Sequence, residues 1–559
     1  MAERHPNDIQ DLEILLTKKN NFASGGTEGL PITALTTTFS IYEDISTFNN
    51  SCDLLINDAT GIIERFPIIG EEFLIFRYRS NYNGSNYLNK ENLTDGKDNF
   101  DLVTRVFKVY KISKQIEKGE RNTAFVLHGV ENTQILNENT NVEKRTTTIA
   151  TKAIEDIFNQ NFKNPESFQS YVPGPTQKSK QIYGIGQNKI NHEKCKNTIS
   201  YLPPGNTAYE AIKYLLHEAE HSDSAMNNSS DYVFYQTRFG FHLTTVTELK
   251  QQREFKIYYV GDQGDGQETT NIVGNSKREP GDKEIILHYQ FVNQIDVLKN
   301  LKNGLYKNRS VGLDLLTKRI NDTSFTYTND FNTIQLINQG QRFITKNNEF
   351  FNVDKLSSTS TRYFTTELKQ STLVTRSNTT NGNYDETPYI KDKIDPIKKD
   401  PTRSKELENF DFFVTNPRTK QNFLPRKVGS INVLDNIRLR VTVPGNSEIK
   451  VGDLVYLFIP QKGRGEDEPV YNLFFGQKEP KFLITSVRQT YNSEELLYTT
   501  IFDVVSDSYA MDLYQLSADE KEIRKKQSEQ GPVMGKGKGN LDGGLGSLSG
   551  TSSFMSGGR

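Results

Sequence analysis

The sequence predicts an α+β, mainly β chain in which one β domain occurs twice around a helix-containing module. Three observations predict it. Cys52–Val130 and Asn436–Val505 repeat one order of features: an apolar lead-in, a Gly-acid pair (Gly70-Glu71, Gly452-Asp453), an alternating strand, a basic-aromatic strand, a polar turn and another alternating strand. The alternation has period two, which suits a pleated surface with two distinct faces. Between the copies, Thr148–Phe162 and the run after Thr207 place apolar residues at helical spacing instead.

Length and charge bound the possibilities. At roughly 100–200 residues per domain, a chain of 559 residues holds about three to five domains. The formal net charge of -2 argues against a chain-wide nucleic-acid binder, which would carry a basic excess. Two cysteines, Cys52 and Cys195, cannot build a disulfide framework and suit assembly in a reducing compartment. The opening residues MAERHPNDIQDLEILLTKKN lack the pattern of a secretory signal. No run approaches the roughly 18 apolar residues of a membrane span, so no membrane insertion is expected.

In chain order, residues 1–30 read as a polar arm. Pro31–Tyr42 is rich in β-branched residues. Cys52–Ile56 is a short strand and Asn57–Gly61 a turn. In Glu72–Arg79, Phe73, Ile75 and Arg77 share one face while Leu74, Phe76 and Tyr78 share the other, so this strand should be buried on both sides. Ser80–Phe100 is a polar loop, long enough to imply a surface role. Residues 31–138 together read as one barrel or tight sandwich.

Residues 139–282 read as a helix/hairpin module with long loops. Ile149, Ala153 and Ile157 form a helical stripe, widened by Ile154 and Phe158. Thr207 and Glu210 have capping-box spacing at the start of a second helix. Tyr232–Thr237 and Gly240–Val246 form a hairpin. Glu284–Tyr306 mixes strand and helix signals, and Ser310–Leu316 is a strand candidate. Ser371–Thr402 reads as loop or loosely ordered chain. The second β copy begins near Lys427. Ser517–Gln530 is a short helix, and Gly531–Arg559 a flexible Gly/Ser-rich tail.

Several chemical motifs compete with a structural reading. His217-Glu218-Ala219-Glu220-His221 matches H-E-x-x-H, which on a helix could hold zinc with Glu218 as general base. The extended form would need a ligand at Asn227 and a glycine at Ser224, and neither fits. A second-helix glutamate would have to be Glu248, which closes a predicted strand. The pair sits at a helix C-terminus, where imidazoles suit the helix dipole, so the structural reading is preferred. Tyr183-Gly184-Ile185-Gly186 lacks the third glycine and flanking elements of a phosphate loop. His192 and Cys195 lack a second ligand pair. Glu71-Glu72 and Glu494-Glu495 read as solvated charge. Lys108, Lys111 and Lys114 with Phe107 and Tyr110 read as a strand with one wet face rather than a nucleic-acid stripe. No catalytic, cofactor or metal residues are assigned.

The order of elements resembles a known family. IIERFPIIGEEFLIFRYR, RVFKVYKISK and TAFVLHGVENTQIL resemble its first tube-like barrel. TTIATKAIEDIF, NTAYEAIKYLLHEAEH and YVFYQTRFGFHLTTV resemble its intervening helical module. GLYKNRSVGLDLLTKR resembles the opening of its second barrel. VGSINVLDNIRLRVTVPGNSEIKVGDLVYLFIP, FLITSVRQTY and LLYTTIFDVVSDSYAMDL resemble the close of that barrel. The family is the baseplate central hub of contractile-tailed phages, related to the N-terminal hub part of type VI secretion spike proteins. The resemblance implies two tube-protein-like β-barrels. The second is split between 283–322 and 427–512 by an insertion domain at 323–426, with residues 513–559 as helix and tail.

The implied role is a homotrimer whose six barrel units adapt a sixfold tail tube to a threefold central spike in a virion baseplate, assembled in the host cytoplasm. Implied partners are the tail tube or tube-initiator protein, the central spike, other baseplate proteins, and genomic DNA only in transit through the lumen. Neither enzymatic activity nor a cofactor is implied. Phe73, Ile75, Phe76, Tyr78, Leu454, Tyr456 and Phe458 are the candidates for inter-subunit, tube-like strands, with loop Ser80–Phe100 reaching a neighbour. Two other readings remain: a zinc metalloprotease using His217, Glu218 and His221, and a peripheral host-surface-binding tail protein. The absence of Trp counts against the second.

Overall fold

The strongest alternating stretches of the sequence all enter one sheet. The computed structural model describes residues 9–18, 29–61, 65–80, 102–117, 122–143, 145–163, 182–184, 188–195, 198–221, 231–260, 284–314, 319–330, 334–338, 363–366, 371–374, 412–415, 420–459 and 480–508. All lie within one unit, Met1–Ala510. The fold is mostly β with few helices.

The first half supplies β1 (Ile9–Thr17), β2 (Leu30–Pro31), β3 (Thr36–Asp44), β4 (Ser51–Asp58), β5 (Phe73–Ser80), β6 (Leu102–Glu117) and β7 (Thr123–Val130). They run in the order β3-β4-β7-β6-β5-β1-β2, each neighbour antiparallel. β5 is buried on both faces, as its sequence predicts. Leu74, Phe76 and Tyr78 join Phe39, Leu54, Phe107, Phe125 and Leu127 in one core. Phe73 and Ile75 meet Leu15 on the other side. Each such side chain contributes roughly 1.5–3 kcal/mol by leaving water.

Ile9–Thr17, read as part of a polar arm, is a strand. Its charges at Asp11 and Glu13 mask the pattern, but Ile14 and Leu16 enter the main core and Leu15 the smaller one.

Between the halves lie α1 (Asn132–Asn139), β8 (Thr146–Ile149), α2 (Ala150–Phe158) with a π-helical turn at Asn159–Lys163, β9 (Ile182–Tyr183) and β10 (Thr198–Tyr201). These are followed by α3 (Ala208–Glu218), β11 (Tyr232–Thr237), β12 (Gly240–Thr245) and α4 (Val246–Lys250). Thr207 and Glu210 form the predicted capping box. The helix predicted from Thr148 starts at Ala150, because Thr146–Ile149 pairs with β10. Glu248, read as closing a strand, is the third residue of α4 and forms a second capping box with Thr245.

The rest of the chain gives β13 (Lys256–Val260), β14 (Ile285–Ile286), β15 (His288–Asn293), α5 (Val297–Lys302), β16 (Lys307–Asp314), β17 (Arg319–Thr326) and α6 (Tyr327–Asp330). Then come β18 (Tyr363–Thr366), β19 (Ser371–Val374), β20 (Phe412–Thr415), α7 (Lys420–Leu434), β21 (Ile437–Pro444), β22 (Leu454–Phe458), β23 (Lys481–Asn492) and β24 (Leu497–Ser506). The second half of the large sheet has the order β13-β22-β23-β24-β21-β15, with β14 beside β13.

Four further expectations change. β13, assigned to the helical module, pairs in parallel with β22 in the large sheet. Gly304–Arg319, expected to open the second barrel, instead supplies β16, which pairs with β17 and β18 in a separate sheet. Lys427–Leu434, expected to start the second copy, is helical and buries Val433 against Phe325 and Tyr327. Ser371–Val374, read as loop, pairs with β20. Residues 81–101, the remainder of Ser371–Thr402, Ser517–Gln530 and Gly531–Arg559 lie outside the described residues.

Candidate assembly interface

The duplication legible in sequence is also a duplication of hydrogen bonding. β5-β6-β7-β4 in the first half matches β22-β23-β24-β21 in the second. The flanking strands extend the match: β3 beside β4 corresponds to β15 beside β21. Register makes the match residue by residue. Phe73 opposes Lys108 where Leu454 opposes Leu483. The Val109 N–H donates to the Glu72 carbonyl (3.0 Å), and the Ile484 N–H to the Asp453 carbonyl (2.9 Å). A β-bulge follows at the same place in each copy, between Val109 and Lys111 and between Ile484 and Ser486. Asp53 faces His128 (2.6 Å) where Arg440 faces Asp503 (2.8 Å), a polar pair at one position with different partners.

Glu72, and not Glu71, is therefore the counterpart of Asp453, so the sequence alignment of the Gly-acid pairs is one residue out. Glu71-Glu72 is not a solvated pair either, since Glu72 is fully buried. Burial alone would raise the Glu72 carboxyl. Bonds from the Ile69 and Gly70 N–H groups (3.0 and 2.8 Å), with Lys18 at 3.3 Å, overcome this and hold it below the usual carboxylate range. Asp453 receives a long bond from the Lys450 N–H (3.3 Å) and lies 3.6 Å from the Lys450 ammonium, yet burial outweighs both and pushes it up to about 6.

The two halves meet along one seam. β23 has β24 on one edge. Its other edge is shared: Lys481–Leu483 pair with β22 inside its own half, and after the bulge Ser486–Asn492 pair with Asp44–Thr38 of β3. One continuous fourteen-stranded sheet results among the described residues.

Side chains reinforce the seam. Phe39 packs against Tyr491 with centroids 5.5 Å apart. Arg488 donates to Ser40 Oγ and lies over the Tyr42 ring at 5.5 Å. Tyr491 and Tyr498, from the second half, complete the core of the first. The Tyr78 hydroxyl donates to Gln489 at 3.2 Å.

Of the seven residues predicted for tube-like strands, Phe73, Ile75, Phe76, Tyr78 and Leu454 are buried within the single chain. Tyr456 and Phe458 are half-buried. The seam residues Phe39, Ser40, Gln489 and Tyr491 were not singled out by sequence. Their alternation was visible, but strand partners separated by some 450 positions leave no local signal.

The H-E-x-x-H segment does not form a metal-binding face. α3 ends at Glu218, and the capping residue Ala219 is extended, which breaks the i, i+4 geometry. His217 is exposed. His221 is fully buried, stacked on Tyr232 and 3.5 Å from Glu248. Although burial opposes it, contacts from His221, Lys194 and Thr244 hold Glu248 down to about 2. His192 is bonded to Glu155 and Thr151, while the Cys195 and His221 backbones meet in an antiparallel β-bridge. Among the described residues no group of three or more His, Cys, Asp or Glu side chains is placed to hold a metal.

Gly184 accepts from the buried His242, as a loop would, and Ile185 and Gly186 lie outside the described residues. Lys108 lies over Phe73 at 4.2 Å, Phe107 is buried and Lys111 is exposed. That is a strand with one wet face. The Lys114 side chain is outside the description. Among the described residues no helix is long and apolar enough to cross a membrane.

No protein-family model matches the sequence, and no curated protein matches it significantly. The structure is similar to the tail protein from Neisseria meningitidis MC58, at 9% identity and a TM-score of 0.41 over 89% of this chain and 97% of that one. It is similar to the 43 kDa tail protein of prophage MuSo2 from Shewanella oneidensis, at 10% identity and a TM-score of 0.42 over 90% and 100% of the two chains. A third similar structure is an E. coli component of the type VI secretion system, at 7% identity and a TM-score of 0.32 over 85% of this chain and 74% of that one. That protein is itself described as similar to T4 bacteriophage tail proteins.

Proposed function

We propose that this chain is a structural subunit of a phage tail baseplate: a trimeric central hub that adapts a sixfold tail tube to a threefold spike. The observation that carries the proposal is the β3–β23 seam. It joins two copies of one β unit head to tail, with unlike edges meeting. A heterologous joint of this kind either closes into a ring or grows without limit. Two units per chain and three chains give six similar units about one axis. Such a ring presents sixfold geometry to a tube on one face and threefold geometry to a spike on the other.

In this reading the first tube-like unit spans Ile9–Val130. The second combines Lys256–Asn293 with Ile437–Ser506, and Lys307–Leu434 is the insertion. β5 and β22 are corresponding wall strands. The partners are two further copies of the chain, a tube or tube-initiator protein, a spike protein and other baseplate proteins, with DNA passing only through the lumen. The work is assembly and force transmission in the virion tail, with no bond made or broken.

Native mass spectrometry of the purified chain tests the proposal, with particles imaged by electron microscopy. Three subunits and ring-shaped particles are expected. A chain that stays monomeric at high concentration, with no rings, refutes it.

A further inference from the structure

Among the described residues the duplication leaves one seam edge unfulfilled in each half. β3 uses its outer edge to pair with β23, yet its counterpart β15 pairs only with β21 among the described residues. β23 accepts β3 beyond its bulge. Its counterpart β6 pairs with β5 only as far as Lys108, and beyond Val109 no described strand occupies that edge. Among the described residues each chain thus carries one open edge of each kind, and the two kinds are those that already fit together inside the chain.

Both edges also expose apolar side chains. On β6, Tyr110 is 54% and Ile116 57% exposed. On β15 Val292 is 47% exposed, and in the connection that follows it Ile295 is 50% exposed. Exposed apolar side chains beside an unpaired strand edge mark a surface made for another chain, since edges left open invite uncontrolled pairing.

Resting on the ring reading above, we infer that β15 of one chain adds antiparallel to the free edge of β6 in the next. The register follows from the internal seam. Lys111, Ile112 and Ser113 correspond to Ser486, Val487 and Arg488, through their pairing with His128, Leu127 and Val126 against Asp503, Phe502 and Ile501. Asn293 corresponds to Tyr42, through Arg438 and Ser51 opposite Val505 and Val130. Because Arg488 opposes Tyr42, Ser113 of one chain opposes Asn293 of its neighbour. The partner is a second copy of this chain, and the contact is a strand addition.

Directly opposed residues in an antiparallel pair have Cα atoms about 4.5–5.5 Å apart, within disulfide range. The native cysteines, Cys52 and Cys195, are buried and do not compete. The full-length Ser113→Cys/Asn293→Cys double variant, mildly oxidised, should give covalent dimers and trimers on a denaturing non-reducing gel. Each single variant, and Ser113→Cys with Gln290→Cys, should give at least tenfold less. A species of trimer mass by native mass spectrometry that yields no chain-to-chain disulfide overturns the edge assignment and leaves the ring standing. A monomer overturns both.

Should the double variant lose its native circular dichroism, hydrogen exchange of the unmodified chain decides. Amides of Lys111–Glu117 and His288–Asn293 should gain protection together on trimerisation, and protection gained by neither segment overturns the inference.

Discussion

Tyr78 of the first β unit meets Tyr498 of the second with ring centroids 5.9 Å apart at 69°, and both side chains are fully buried. Burial raises both phenols above their usual range, so each stays neutral and serves as an apolar ring with a hydrogen-bonding tip. The pair carries the second half into the core of the first, while the second half keeps a core of its own around Leu439, Leu454 and Val504. Phe39, in contact with Phe76, Tyr78 and Tyr491, is the ring that most depends on both. Phe39→Ala should cost about 3–5 kcal/mol, the usual range for emptying a buried aromatic site. Tyr78→Phe, losing the buried bond to Gln489 and the longer one to the Tyr498 hydroxyl, should cost about 1–2 kcal/mol. Urea unfolding monitored by circular dichroism measures both, and loss of the two halves in separate transitions for wild type would show that the seam contacts do not couple them.

The two turn glycines make a controlled comparison. Gly70 and Gly452 both have positive φ, 90° and 89°, so alanine is strained at each. At Gly70 the nearest atom to an added Cβ is 3.9 Å away, while at Gly452 it would sit 2.3 Å from the Tyr235 hydroxyl. Gly70→Ala should cost about 1 kcal/mol from backbone strain alone. Gly452→Ala should cost more by a further 1–3 kcal/mol or so from overpacking. Equal midpoints in urea would show that the Tyr235 contact is not limiting.

Asp453 gives a pH dependence of known sign. Its carboxyl is pushed from 3.8 up to about 6 in the folded state, so between those values the native protein binds a proton that the unfolded chain does not. Stability from this group is therefore greatest below about pH 4 and is lost as pH rises towards 6. The full effect is about 3 kcal/mol, at 1.36 kcal/mol per unit. Asp453→Asn should remove this component, so the difference in unfolding free energy between variant and wild type should grow from pH 4 to pH 7. A constant difference across that range would refute it.

His217 and His221 should behave as unlike residues. His217→Ala, at an exposed position, should change stability by no more than about 0.5 kcal/mol, whereas His221→Ala removes a buried ring beside Tyr232 and Glu248 and should cost roughly 1–3 kcal/mol. Elemental analysis should find no stoichiometric zinc in the purified protein. Zinc that disappears in His217→Ala would restore the protease reading.

The sequence was most legible where a signal is local. The two-sided burial of Phe73–Tyr78, the Thr207–Glu210 cap and the hairpin Tyr232–Thr237 with Gly240–Thr245 depend on neighbours within a few positions. It was least legible where the deciding contact is remote. Ile9–Thr17 is a strand because β5 waits for it, and Lys256–Val260 joins the second unit through parallel pairing with β22. The helix over Lys427–Leu434 breaks a run whose valines and isoleucines favour strands, because its buried face meets Phe325 and Tyr327. The seam was invisible for the same reason: no local pattern says which edge of β23 changes partners after its bulge.

The covalent linkage of the two units changes the thermodynamics of closing a ring. Six separate bodies would each lose translational and rotational freedom, at an estimated 4–15 kcal/mol per association step. In the proposed ring, with every second joint formed during folding of one chain, only three bodies would remain to be brought together. Half of that ring's circumference would then form at a rate independent of protein concentration, and only the remaining joints would respond to dilution.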